Sequence, residues 1–296
     1  MPLASGAPRA LDTLRAGTFV ASVLTSAFLL FLVQPMLGRM LLPVFGGSPA
    51  VWNTCMVFFQ ILLLVGYAYA HGSLRRLGLK HQAMLHAAIL LASLFFLPRA
   101  LSVADSASAS PIGTILVALT FAAGVPFFVL STNSSLTQRW YSVGSFRSSA
   151  DPFWLYAASN AGSLAALVAY PLVVEPALGL HDQLRWWSIG YVVFVVLSLA
   201  SILLARRGLG TGSSAMTESD SLAPSAGVTW KRRAGWVARA MIASSLLLSV
   251  TMQVTSDVMS VPLLWVVPLA IYLTTFIVAF SPSRRPRRRV TALSTT

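Results

Sequence analysis

Eight stretches of this sequence run for about a membrane's width without an acidic or basic residue in their middle: 17–38, 51–70, 84–101, 112–131, 153–174, 186–205, 238–256 and 261–280. A helix needs about 20 predominantly apolar residues to cross a hydrocarbon core ~30 Å thick. Lipid offers no hydrogen-bonding partner, so backbone polar groups there must be satisfied inside helices or a closed barrel. Composition agrees: 56% of residues are hydrophobic and 10% charged, whereas soluble domains carry about 25% charged residues to face water. The expected fold is all-α, a polytopic transmembrane bundle of about eight spanning helices.

Basic residues are retained on the cytoplasmic side of short loops. With the N-terminus inside, all but Arg39, Arg99 and Arg185 of the 21 basic residues fall on that side. Both termini are then cytoplasmic. The layout expected is a six-helix transmembrane region over 1–205, a flexible Gly/Ser-rich cytoplasmic linker over 206–236, a two-helix transmembrane region over 237–281, and an Arg-rich cytoplasmic tail over 282–296. The first stretch reads as a retained signal anchor, since residues 33–38 offer no small-residue cleavage site. The lipid bilayer is the principal partner. Anionic lipids are expected at the tail, where Arg284, Arg285, Arg287, Arg288 and Arg289 cluster, unless that cluster acts only as a topology signal. A net charge of +13 would suit nucleic acid, but the basic residues sit in short runs between apolar blocks, without an aromatic-basic groove pattern. No nucleic-acid partner is expected. The bias to arginine, with two lysines, Lys80 and Lys231, points to a GC-rich bacterial genome and hence to a bacterial inner membrane.

Chemistry-bearing residues are few. Cys55 is the only cysteine, which rules out an internal disulfide and a cysteine-based metal site. His71 and His81 fall in a basic loop, His86 at a helix entrance and His181 on the other side, so no metal or haem site is expected. No cofactor is expected either, because there is no Walker loop, glycine fingerprint or Ser-His-Asp arrangement. Ser48 and Pro49 read as the N-cap and first residue of the second helix. Asn133-Ser134-Ser135 matches the glycosylation pattern but falls on the inside. Trp140 and Tyr141 read as interfacial anchors. In the fifth stretch Ala157, Ala161, Ala165 and Ala169 recur every four residues, flanked by Ala158, Gly162 and Ala166. Such a ridge permits close helix packing in lipid, with Asn160 beside it able to bond a neighbouring helix or line a substrate path.

Several runs carry a resemblance. They are Phe31 to Arg39 with Gln34-Pro35-Met36-Leu37-Gly38, Leu42-Pro43, Gly46 to Trp52, Cys55-Met56, Phe58-Phe59-Gln60, Gly66 to His71, Tyr156 to Ser163, and Asp257 to Pro268. Together they resemble the membrane portion of bacterial spermidine-synthase-like proteins, over residues 17–281. The resemblance implies a membrane module that anchors a separate spermidine-synthase-like partner or handles a small polar or cationic metabolite. A stand-alone transporter is the alternative, set back by the absence of an ionisable residue in mid-membrane. The family's aminopropyltransferase domain would follow the last helix. Its glycine-rich acidic motif does not occur here, so aminopropyl transfer is not expected of these residues and no catalytic residue is assigned.

One end of the bundle collects polar residues. Gln34 and Arg39 end the first helix, Asn53 begins the second, Glu175 ends the fifth and Asp257 ends the seventh, all on the outer face under the topology above. Carboxylates at a helix C-terminus oppose the dipole unless a cation compensates. Two readings follow. Gln34, Asn53, Glu175 and Asp257 line an outward-open pocket for a small cation, or Arg39 pairs with an acidic residue as a structural staple.

Overall fold

The computed structural model describes residues 7–46, 48–98, 110–143, 154–211, 229–257 and 266–281, together with most of their side chains. The Arg-rich tail, the middle of the 206–236 segment and the side chain of Asp257 lie outside the described residues. Among the described residues every regular element is helical. Helix α1 (Ala7–Phe45) leads through Gly46 to α2 (Pro49–Ser93). Gly46 turns at φ 74°, a left-handed value that glycine adopts without penalty. The Ser48 hydroxyl accepts from the Val51 N–H, and Pro49 takes the first turn of α2, where a missing N–H costs nothing.

The second and third expected helices meet end to end at a kink, and α2 denotes the pair. Helix α2 stays helical through the basic segment assigned above to a loop, interrupted only at Gly78 (φ 67°, ψ 169°). Its apolar run, Ala50–Phe96, is 47 residues long, roughly 70 Å at 1.5 Å per residue and about twice a hydrocarbon thickness.

Helix α3 (Pro111–Leu119) passes through a π-helical turn (Thr120–Gly124) into α4 (Val125–Val143). Helix α5 (Trp154–Ala169) passes through a second (Tyr170–Val174) into the short α6 (Glu175–Ala177). Each π turn is centred four residues before a proline: Ala122 before Pro126, and Leu172 before Pro176. A proline ring collides with the carbonyl four residues back, and widening the turn relieves that collision. Helix α7 (Leu180–Thr211) follows, then α8 (Trp230–Asp257) and α9 (Val266–Phe280). Helix therefore takes in both ends of the 206–236 segment expected as a linker. Its flanks carry Arg206, Arg207, Lys231, Arg232 and Arg233, whose long side chains suit helices continuing past the lipid.

Six helices, among the described residues, are long and apolar enough to cross a membrane: Leu14–Phe45, Ala50–Phe96, Pro111–Ser142, Trp154–Ala177, Leu180–Arg206 and Trp230–Thr251. Helix α9 is equally apolar but shorter, at 15 residues. Helix α1 is the hub, packed by α4, α5 and α7, while α2 lies on α4 and α9 lies on α5. Close approaches set these contacts. A Cβ on Gly162 would overlap the Leu24 carbonyl of α1, and one on Gly66 of α2 would overlap the Ser131 side chain of α4. In lipid the hydrophobic effect gives no drive between helices, so such backbone-to-backbone packing carries the association. The flanking row with Gly162 and Ala166 packs inward, while Ala161, Ala165 and Ala169 line a groove toward α9.

Candidate functional site

Of the polar residues expected to converge at one end of the bundle, two meet. The Arg39 guanidinium donates to the Glu175 carboxylate, joining the end of α1 to α6, with both side chains partly exposed at 43% and 39%. The second π turn positions this contact: by absorbing the Pro176 collision it lets the chain carry Glu175 past the end of α5 beside α1. Gln34 turns instead to its own helix, its amide donating to the Leu30 carbonyl at 3.2 Å. Asn53 is exposed on α2. Asp257 is the last residue of α8. No hydrogen bond links Gln34, Asn53 and Glu175 among the described residues.

Two further groups at this end gave no sequence signal. The Tyr170 hydroxyl lies in the second π turn, and the Gln183 amide sits in the first turns of α7. Gln183 donates to the Leu178 carbonyl at 2.9 Å, yet its Oε1 is buried without a partner, as is the Tyr170 hydroxyl.

The centre of the bundle holds a closed polar network. Asn133 of α4, fully buried, donates from Nδ2 to Ser26 Oγ at 2.9 Å and to the Ser22 carbonyl and hydroxyl at 3.2 and 3.3 Å. Its Oδ1 accepts from Ser198 Oγ of α7 at 3.1 Å and from Thr137 Oγ1 at 3.2 Å. Ser22 and Ser198 lie 3.0 Å apart. Since the Ser198 proton goes to Asn133, Ser22 must donate to Ser198, and every amide and hydroxyl group in the ring is satisfied. The glycosylation-like triplet thus contains the residue that ties α1, α4 and α7 together. The network has no ionisable member. It holds helices and offers no acid, base or nucleophile activated by one.

Trp140 and Tyr141, expected at the membrane interface, are both 1% exposed. Trp140 donates to Gln82 Oε1 of α2 at 2.9 Å, and Tyr141 packs edge-on against Phe19 at 5.3 Å. Helix α4 overruns the expected end of its span, and the overrun is covered by α1 and α2, so both rings serve the core. His86 is likewise fully buried, its ring beside Trp140 at 5.6 Å and Tyr69 at 5.9 Å. Gln82 Nε2 and His86 Nε2 have no hydrogen-bond partner. The amide of Asn160 donates within its own helix, to the Tyr156 carbonyl at 2.7 Å. Among the described residues no three His, Cys, Asp or Glu side chains gather as metal ligands. An open apolar groove of about 750 Å³ runs between α5 and α9, lined by residues such as Val168, Leu172, Ile271 and Val278.

No protein-family model matches the chain, and no curated protein and no solved structure matches it.

Proposed function

We propose that this chain is an integral membrane module of eight crossings, with both termini and the 206–236 segment cytoplasmic, and that its task is anchoring. In this reading α2 crosses twice, reversing at Gly78 among Arg75, Arg76 and Lys80, and α9 completes the count. Its setting is a bacterial inner membrane. Its partner class is a separate spermidine-synthase-like protein on the cytoplasmic side, as the resemblance implies. The observation that carries anchoring is the closed network around Asn133. The polar groups that join α1, α4 and α7 are used up by one another, leaving the centre built to hold helices.

A second reading, a small polar or cationic metabolite bound where α1 ends and α7 begins, is favoured by the unpartnered Tyr170 hydroxyl and Gln183 carbonyl. Against a cation there, Glu175 is already engaged by Arg39. Thermal unfolding of the detergent-solubilised protein against a spermidine titration separates the two. Anchoring predicts no saturable shift beyond that of salt at equal ionic strength. A saturable shift that Glu175→Gln abolishes would replace it with the second reading.

A further inference from the structure

The start of α8 presents an exposed basic surface with tryptophans in it. Lys231, Arg232, Arg233 and Arg239 are all exposed, and the first turn holds no acidic residue. None of the four forms an ion pair among the described residues. Two tryptophans lie among them, Trp230 at 79% and Trp236 at 49% exposure. The Arg232 guanidinium lies 5.6 Å from the Trp236 ring centroid, a cation–π distance.

Helical spacing sorts these residues. Trp230, Ala234, Val237 and Met241 recur at intervals of four, three and four and share one face. Arg232, Trp236 and Arg239 fall on the opposite side, with Lys231 and Arg233 at its two edges. Three cations in the first turn, Lys231, Arg232 and Arg233, oppose the helix dipole, so this end is uncompensated by its own backbone as well as by its neighbours. An amphipathic basic face with interfacial tryptophans, immediately before an apolar helix, fits the headgroup layer of an anionic bilayer.

We propose that residues 230–241 form an anionic-lipid docking surface: phosphate-bearing anionic headgroups bind Lys231, Arg232, Arg233 and Arg239, while Val237 and Met241 enter the acyl boundary. The occupant is lipid because the charge is complementary, and because the cations adjoin the apolar run that continues through α8. This surface rests on the membrane reading above and is separate from the Arg-rich tail.

The test reconstitutes the full chain in phosphatidylcholine bilayers with a trace of spin-labelled phosphatidylglycerol or spin-labelled phosphatidylcholine, and reads the relative association of each. Phosphatidylglycerol should be preferred by about threefold or more at low salt and much less at 0.5 M salt. Replacing the four cations together (Lys231→Gln, Arg232→Gln, Arg233→Gln, Arg239→Gln) should remove at least half of that preference. Replacing them with lysine throughout should retain it, which excludes loss through misfolding. A preference unchanged by the Gln variant overturns the proposal and leaves the effect to other cations. No preference in the parent overturns it too, and binding of polyuridylate lost in the Gln variant would then assign the surface to RNA. Extraction of the parent from bacterial membranes by alkaline carbonate would instead defeat the membrane reading itself.

Discussion

Helices α1 and α8 are both apolar and long enough to span, yet half of the most apolar window of α1 is buried against protein and none of that of α8 is. Mean hydropathy, 2.1 against 1.4, does not explain the contrast, because lipid covers an apolar face as well as protein does. Small polar residues do not explain it alone. Helix α1 carries Ser22 and Ser26, and α8 carries Ser244, Ser245 and Ser249, which stay exposed. What differs is the facing surface. The serines of α1 meet Asn133 and Ser198, and its Leu24 carbonyl meets Gly162. Burial in a membrane follows from complementary partners at contact distance, and among the described residues α8 packs mainly on α9.

The sharpest way to break the contrast is a bulky residue at each helix contact. Gly162→Val drives a side chain into the Leu24 carbonyl and should destabilise the bundle by about 3 kcal/mol, read by denaturant unfolding in mixed micelles. Gly235→Val in α8 meets open space and should change stability by no more than ~0.5 kcal/mol. Equal losses at both sites would erase the distinction between the two regions.

Next in size is the network. Asn133→Ala strips Ser22, Ser26 and Ser198 of their shared partner and should cost about 1–2 kcal/mol. In a double-mutant cycle with Ser198→Ala the losses should fall short of additive, since both remove one bond. Additive losses would show that the ring does not act as a unit. Trp140→Phe leaves Gln82 Oε1 unpaired and should cost about 1 kcal/mol. A neutral result would show that the Trp140–Gln82 bond does not hold α4 to α2.

The smallest effect belongs to Arg39 and Glu175. Their side chains are partly exposed, so screening limits the pair to a few tenths of a kcal/mol, and less at high salt. Arg39→Gln should therefore hardly shift the unfolding midpoint. A loss above ~2 kcal/mol would move this pair from the exposed rim into the load of the bundle.

The helices themselves were legible in the sequence, because uninterrupted apolar length is a local property. The cap at Ser48 was legible for the same reason. Gly78 was not: a charged segment between apolar runs looks like a loop, and only the neighbouring backbone decides whether helix continues through it. The role of Asn133 was not legible: the sequence offers there only a glycosylation-like triplet that falls on the inside. Its partners on α1 and α7 lie 65 or more residues away in the chain, and no local pattern encodes them. The alternation of Ala157, Ala161, Ala165 and Ala169 was visible, but which row meets α1 depends on Gly162 and on where Leu24 sits. At the candidate site the Arg39–Glu175 contact could be posed from charge and dipole, whereas Tyr170 and Gln183 carry no signal until burial is known.

Reporter fusions after Leu79, Leu209 and Arg289 test the eight-crossing module most directly. The account predicts a cytoplasmic reading at all three, because α2 reverses at Gly78 and the chain then crosses an even number of times before each later point. An external reading at Leu79 would make α2 a single crossing, and one at Leu209 or Arg289 would contradict the pairing of helices on which the module rests.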